Sequence, residues 1–133
     1  MLAKLAPDLD DDAIAGLADV MLEAGIEGVI ATNTTVSRPN LTDTRRAAEA
    51  GGLSGVPLER LALDRVGVLA RRLDGRLPII GVGGIHSVAG ARAMVDAGAS
   101  LVQIYSAFIY NGPILVRDIA RSLGGVADSR TKH

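Results

Sequence analysis

Two short apolar runs end in residues that could bind a phosphate. The first, Leu77 to Val82, is followed by Gly83-Gly84, and the second, Leu101 to Ile104, is followed by Tyr105-Ser106. Glycine lets backbone N–H groups approach an anion closely, and a serine hydroxyl can donate a further hydrogen bond. Such runs are typical of buried parallel strands, whose carboxyl ends meet at one edge of a sheet. The pattern predicts a phosphate site like that built by the last two strands of an eight-stranded β/α barrel.

Four strands and four helices are predicted to position these residues. The strands are short apolar runs at Leu2 to Leu5, Glu27 to Ala31, Leu77 to Val82 and Leu101 to Ile104. The helices begin at capping or proline signals near Asp8 to Asp12, Pro57, Ser87 and Pro113. This order predicts an α/β fold. It fits either four consecutive β/α units that form half of a TIM-type (β/α)8 barrel or a doubly wound open sheet.

The length of the chain favours the half-barrel. Its 133 residues suit one domain, whereas a complete β/α barrel needs about 250. We predict the half-barrel over residues 1–125 and a disordered tail over 126–133. A half-barrel leaves a strand edge unpaired on each side and an aliphatic inner face uncovered. We therefore expect self-association, aggregation or an amino-terminal half-barrel as partner.

A weak internal repeat supports this layout. Glu23 to Gly25 and Asp96 to Gly98 both read as a helix end with a glycine stop, at an offset of 98 − 25 = 73 residues. The same offset places Thr32-Asn33 on Tyr105-Ser106. Both strands therefore offer polar groups at their carboxyl ends, the face at which parallel α/β proteins bind ligands.

The composition argues against several partners and sites. The chain carries 14 basic and 15 acidic side chains, so its formal net charge is -1, and no Lys/Arg block indicates nucleic-acid binding. With no cysteine and two histidines, it supplies few ligands for a transition metal. No apolar run reaches the roughly 18 residues of a membrane span, and no signal-peptide pattern is present. These features predict a soluble protein without metal or nucleic acid.

Five motifs in order along the chain resemble the carboxyl-terminal half of dihydroorotate dehydrogenase. They are Lys4 to Leu9, Ile30 to Thr35, Gly51 to Leu58, Pro78 to Ile85 and Gly98 to Ser106. The second and third are similar to the quinone-linked class in particular. The resemblance covers nearly the whole chain. It implies an FMN-containing β/α barrel that oxidises dihydroorotate to orotate in pyrimidine (UMP) biosynthesis, with quinone as electron acceptor.

The resemblance also implies roles for individual residues. Those that would contact FMN are Lys4, Thr32, Gly55, Gly84, Tyr105 and Ser106. Asn33 and Thr34 would contact the substrate. The catalytic base of this family is a serine in the amino-terminal half, so this chain would be a fragment without a catalytic residue and inactive alone. The full-length protein is expected in the cytoplasm, peripheral on the cytoplasmic side of the membrane.

The residue types suit those roles. The Lys4 ammonium group could stabilise the negative charge that flavins gain near N1 on reduction. Asn33 both donates and accepts hydrogen bonds, as the edges of a planar substrate with amide and carboxylate groups require. Ser54 has no histidine or aspartate at triad spacing, so we interpret it as loop structure, and His86 as incidental.

Three other functions fit the same residues. The first is a different FMN-barrel oxidoreductase that acts on another dihydropyrimidine or on a 2-hydroxy acid. Of these substrates, the Asn33-Thr34 pair favours the pyrimidine. The second is a non-catalytic half-barrel that binds FMN or a phosphate without turnover. The third is a phosphosugar-handling barrel enzyme, which would bind phosphate but no flavin.

Overall fold

The computed structural model describes residues 1–38, 41 and 45–130, and in them four strands alternate with four helices. The strands are β1 (Leu2–Leu5), β2 (Gly28–Ala31), β3 (Ile79–Val82) and β4 (Leu101–Gln103). The helices are α1 (Asp11–Glu23), α2 (Glu59–Leu73), α3 (Val88–Asp96) and α4 (Ser106–Arg130). The predicted order of elements is confirmed.

The four strands form one parallel sheet in the order β1-β2-β3-β4. A doubly wound sheet reverses its strand order at one point, whereas this order runs in a single direction, as in successive units of a β/α barrel. The predicted half of a TIM-type barrel is therefore confirmed over the doubly wound alternative. Among the described residues, β1 and β4 each pair with a strand on one side only.

One face of the sheet is buried beneath the helices. Val29 and Ala31 of β2 belong to a buried aliphatic core with Ile14 of α1, Leu69 of α2 and Met94 of α3. Successive residues of a strand point to opposite faces, so the neighbours of these β2 residues face the other way. The helix layer therefore covers one face of the sheet.

The opposite face carries a row of side chains with little cover in the described part of the chain. Strand register places Lys4 beside Ile30, Ile30 beside Ile80, and Ile80 beside Leu101. Because paired residues of parallel strands point to the same face, these four side chains form one row across the sheet. Leu101 is 61% exposed. This row is the inner face that a closed barrel fills with side chains.

Helix ends follow the capping signals in the sequence. The Asp10 carboxylate accepts a hydrogen bond from the Ala13 N–H at 2.8 Å, and the Ser87 hydroxyl accepts one from the Gly90 N–H at 3.1 Å. After α1 and α3, Gly25 and Gly98 have φ of 68° and 119°. The internal repeat of helix end and glycine stop is therefore present in the backbone.

Two helices start differently from the prediction. Pro57 lies in a 3₁₀ turn, Val56–Leu58, that leads into α2 at Glu59. Helix α4 begins at Ser106 instead of Pro113, and Gly112 interrupts it with φ 63° and ψ -163°. Proline disfavours helical geometry in the residue before it, so Pro113 predicts a helix start at the second part of α4. The first part has no comparable start signal.

The predicted tail overlaps α4 at 126–130, and 131–133 lie outside the described residues.

Candidate ligand site at the carboxyl edge of the sheet

A cavity of about 420 Å³ opens where the strands end, and residues from all four β/α units line it. All eight residues predicted to contact FMN or substrate are in its lining: Lys4, Thr32, Asn33, Thr34, Gly55, Gly84, Tyr105 and Ser106. The structure therefore brings the predicted residues together from four separated segments. Parallel strands make this possible, because their carboxyl ends lie at one edge of the sheet.

Thr32 lies at the bottom of this arrangement, directly after β2, and is 3% exposed. Its N–H donates to the Val82 carbonyl at 2.6 Å and so links the ends of β2 and β3. Its Oγ1 is buried and has no hydrogen-bond partner within the described residues. A buried polar atom without a partner costs free energy. The Thr32 hydroxyl thus indicates a ligand that supplies the hydrogen bond.

Gly83 and Gly84 form the turn after β3, with φ of 133° and 72°. A Cβ on Gly83 would lie 2.8 Å from the Cβ of Ala62, and a Cβ on Gly84 would overlap the backbone of Glu59. Glycine is therefore required both by the backbone conformation and by the close approach of α2. The turn lines the cavity with backbone and leaves room for an anion beside it.

Ser54 and Gly55 bring a second loop to the same place. Gly55 has φ 76° and precedes the 3₁₀ turn that begins α2. The Ser54 and Ser106 hydroxyl oxygens lie 3.1 Å apart, in hydrogen-bond contact. Ser54, which we interpreted as loop structure, lines the cavity and contacts the predicted Ser106. Its position directly before the predicted Gly55 was the available signal.

The Asp8 carboxylate anchors the loop that carries Asn33 and Thr34. It accepts hydrogen bonds from the Thr35 hydroxyl, from the Val36 N–H at 3.2 Å and from the Ser37 hydroxyl at 3.3 Å. Burial raises the pKa of Asp8, but these hydrogen bonds together outweigh burial and hold the pKa below its ordinary 3.8. The charged form of Asp8 therefore holds this loop in place.

Arg38 connects the two ends of the same loop by hydrogen bonds. Its guanidinium donates to the backbone carbonyls of Thr35, Val36, Ser37, Ala47, Glu49 and Gly51. A backbone bridge between Thr35 and Leu53 closes the loop on itself, with N···O distances of 3.1 and 2.8 Å. The fork of five N–H donors suits this work. The described segments that carry the predicted Thr34 and Gly55 are thereby tied to each other.

The charge of the cavity favours an anionic ligand. Lys4 contributes an ammonium group, and no Asp or Glu is among the described lining residues. Asn33 adds an amide, whose Oδ1 accepts from the Thr34 N–H at 3.0 Å. In the described part of the chain, no group of three or more His, Cys, Asp or Glu side chains could hold a metal ion. Nor does any helix there have the length and hydropathy to cross a membrane.

Four further polar residues of the lining were not predicted for the site from the sequence. They are His86, Gln103, Tyr110 and Asn111. Gln103 is the last residue of β4 and could have been found from strand alternation. Tyr110 and Asn111 lie in the first part of α4, which the sequence did not reveal. His86 follows the glycine turn and was interpreted as incidental.

Fold and site together define half of a β/α barrel, with a cavity at its carboxyl edge whose described lining holds a lysine and no carboxylate. The profile of the dihydroorotate dehydrogenase family matches residues 1–126. The chain belongs to the dihydroorotate dehydrogenase family. This confirms the family that the five sequence motifs resemble.

Individual relatives agree. A dihydroorotate dehydrogenase (quinone) of Aeromonas hydrophila is 56% identical over 119 residues, which cover 90% of this chain and 35% of the relative. One from Actinobacillus pleuropneumoniae serotype 5b is 50% identical over 123 residues, covering 92% and 37%. The crystal structure of DHODH from Eimeria tenella in complex with ferulenol matches with a TM-score of 0.86 and 38% identity. That match covers 98% of this chain and 35% of the other. The chain thus spans about a third of the length of these relatives.

Proposed function

We propose that the chain supplies the FMN-binding half of a dihydroorotate dehydrogenase. The enzyme would oxidise dihydroorotate to orotate in de novo pyrimidine biosynthesis and pass the electrons to quinone. The observation that carries the proposal is the cavity at the strand ends. It gathers Lys4, Thr32, Gly55, Gly84 and Ser106 in one lining without a carboxylate. Quinone as acceptor is supported by the relatives reported above, which are named dihydroorotate dehydrogenase (quinone).

The residues present fit FMN. The unpartnered Thr32 Oγ1 supplies a buried hydrogen-bonding atom, and the positive-φ turns at Gly55 and Gly84 bring backbone to the cavity wall. Ser106 lies at the start of α4, where N–H groups and the helix dipole favour a phosphate. Lys4 would face the flavin ring from β1. When bound, FMN would take two electrons from the substrate and release them to the acceptor.

Asn33 and Thr34 would hold the substrate. They lie on the Asp8-anchored loop at the mouth of the cavity, and both are exposed. The Asn33 N–H donates to the Leu5 carbonyl at 2.8 Å, which fixes the backbone and leaves the side chain to orient a planar ligand. Neither side chain is a proton acceptor of the kind a dehydrogenation at carbon needs. The catalytic base would therefore come from the amino-terminal half of the barrel.

The proposed partner is an amino-terminal half-barrel. Relatives in which the match covers 35 to 37% of the length contain further chain that could supply it. It would pair with the open edges of β1 and β4 and cover the row from Lys4 to Leu101. We place the complete enzyme in the cytoplasm, peripheral on the inner side of the membrane, where its quinone acceptor would be dissolved.

An absorption experiment tests the proposal. The chain is purified with and without co-expression of the amino-terminal half of the Aeromonas hydrophila relative, then loaded with FMN and mixed with dihydroorotate. We expect bound yellow flavin, bleached by dihydroorotate when the second half is present. Flavin that binds but never bleaches would indicate a non-catalytic FMN-binding half-barrel instead. A protein that binds inorganic phosphate but no flavin would contradict the proposal.

A further inference from the structure

His86 lies between the glycine turn and the start of α3, and it lines the same cavity as Gly84 and Ser106. The His86 Nδ1 is 3.0 Å from the Gly84 carbonyl oxygen and 3.7 Å from Oε1 of Glu59. The histidine side chain is 43% exposed and the glutamate side chain 26%. The ring is therefore held at its Nδ1 side and open on the other.

The Gly84 carbonyl and the Glu59 carboxylate determine which ring nitrogen of His86 carries a proton. A carbonyl and a carboxylate only accept hydrogen bonds, so Nδ1 carries the hydrogen. No residue in the described part of the chain forms a hydrogen bond with Nε2 of His86. When the imidazole ring is charged, Nε2 also becomes a donor. The Glu59 carboxylate, which is not part of the cavity lining, stands behind the ring as a counter-charge.

We propose that His86 is an additional binding residue for the phosphate of the ligand, donating from Nε2, with Glu59 as the residue that orients it. This inference rests on the proposed function, because it concerns the anionic tail of FMN. The glycine turn offers backbone to the phosphate, and His86 adds a side-chain nitrogen at the rim of the same turn. A hydrogen bond to an ionised phosphate is stronger than one between two neutral groups.

The position of the Glu59 carboxylate follows from the fold. Glu59 is the first residue of α2, where a negative charge is favourable. It packs against Gly84 in the β3 to α3 connection and lies near Gly90 in the first turn of α3. The carboxylate is therefore fixed beside the His86 ring.

Two matched variants test the role of Nε2. The Gln side chain places its amide nitrogen near the position of Nε2, whereas Asn reaches only the position of Nδ1. The chain carrying His86→Asn or His86→Gln is titrated with FMN and with riboflavin, which lacks the phosphate. Flavin fluorescence reports both dissociation constants.

We expect His86→Asn to bind FMN about tenfold more weakly than the wild-type chain, and His86→Gln to stay within about threefold. Riboflavin affinity should change by less than about twofold in both. Glu59→Gln should weaken FMN binding to a smaller extent and leave riboflavin binding unchanged. This contrast between ligands separates a phosphate contact from a general disturbance of the turn.

Equal FMN affinity in His86→Asn and the wild type would overturn the inference and leave the proposed function standing. An equal loss for FMN and riboflavin would also overturn it, because the effect would then not involve the phosphate. If the wild-type chain binds neither flavin, the proposed function fails, and the inference fails with it. The two failures are thus distinguished by the wild-type titration alone.

Discussion

Thr32 and Thr35 are two buried threonines, three positions apart, whose hydroxyl groups have opposite surroundings. Thr35 is 0% exposed, donates to Asp8 and accepts from the Ser37 N–H at 3.0 Å. The Thr32 Oγ1 has no partner within the described residues. The hydrogen bonds of the Thr35 hydroxyl stabilise the fold, whereas the Thr32 hydroxyl contributes no such hydrogen bond. This contrast is the strongest sign in the chain of a ligand.

Replacing Thr32 by valine should therefore raise stability and lower ligand affinity. Valine has the same shape without the unsatisfied hydroxyl, so we expect the free energy of unfolding of the apo chain to rise by about 1 kcal/mol. FMN affinity should fall about fivefold, because the hydrogen bond to the ligand is lost. Urea denaturation and flavin titration measure the two effects.

Thr35→Val is the matched control for this change. It removes a hydroxyl that is fully hydrogen-bonded, so it should lower the free energy of unfolding by about 1–3 kcal/mol. If Thr32→Val destabilises the apo chain by as much as Thr35→Val, the Thr32 hydroxyl has a structural partner. Its assignment to a ligand would then be wrong.

Lys4 should set the reduction potential of the bound flavin. An ammonium group about 4 Å from a developing negative charge, at an effective dielectric of about 20, contributes up to about 4 kcal/mol, or about 90 mV for two electrons. In the FMN-loaded protein, Lys4→Ala should lower the midpoint potential by a part of this amount. Dye-equilibrated spectral titration measures it. Lys4→Arg keeps the charge and serves as the control, and an Ala variant with the wild-type potential would contradict the role.

Among the elements, the loop after β2 should be less stable at low pH, where protonation of Asp8 weakens the hydrogen bonds that its carboxylate accepts from the loop. The pKa of Asp8 is held below 3.8 in the folded chain, so its contribution to stability is complete above that pH and lost as pH falls through the folded value. Asp8→Asn should cost about 1 kcal/mol near neutral pH. The difference from the wild type should shrink in acid. Urea denaturation between about pH 6 and pH 3 follows both chains.

Asp12→Asn provides the comparison for that experiment. Asp12 is an exposed carboxylate in the first turn of α1, so its removal also takes away one charge from the same region. We expect its stability difference to vary much less with pH than that of Asp8→Asn. Identical pH profiles for the two variants would mean that general charge, and not the anchored loop, explains the effect.

The elements themselves could largely be predicted from the sequence. Ser87 and Gly98 delimit α3 because capping and a glycine stop act within a few residues of chain. The first part of α4 was not predictable in this way. Gly112 and Pro113 are typical of a helix start, so the sequence predicts that the helix begins there and not at Ser106. Local signals therefore located elements well, and failed where two helical segments adjoin.

The site was predictable only where motifs named its residues. Ser54 contacts Ser106, 52 positions later in the sequence, and His86 contacts Glu59, the first residue of α2. Neither contact has a spacing rule, because both depend on how the loops fold over the strand ends. Similarly, the unpartnered state of the Thr32 hydroxyl follows from burial, which a sequence does not show.

At the scale of the whole molecule, the sheet has the strand order of half a β/α barrel and exposes apolar residues at both edges. Leu2 and Leu101 are 49% and 61% exposed, one on each edge strand of the sheet. Strand alternation places both on the face turned away from the helix core. Exposed apolar residues beside unpaired backbone at a strand edge promote association. The same surface that a complete barrel buries would therefore control how this chain assembles.

Leu101→Lys should weaken assembly without unfolding the chain. Burying an exposed leucine contributes about 2 kcal/mol, and a lysine there would put a charge into the barrel interior, so we expect binding of the amino-terminal half of the Aeromonas hydrophila relative to weaken at least about tenfold. Sedimentation velocity measures the complex, and circular dichroism checks the fold. Ala89→Lys, exposed on α3, should leave binding unchanged. Homodimers of the chain that resist Leu101→Lys would show that a second copy associates through another surface, and undiminished binding of the other half would refute the barrel closure proposed for this face.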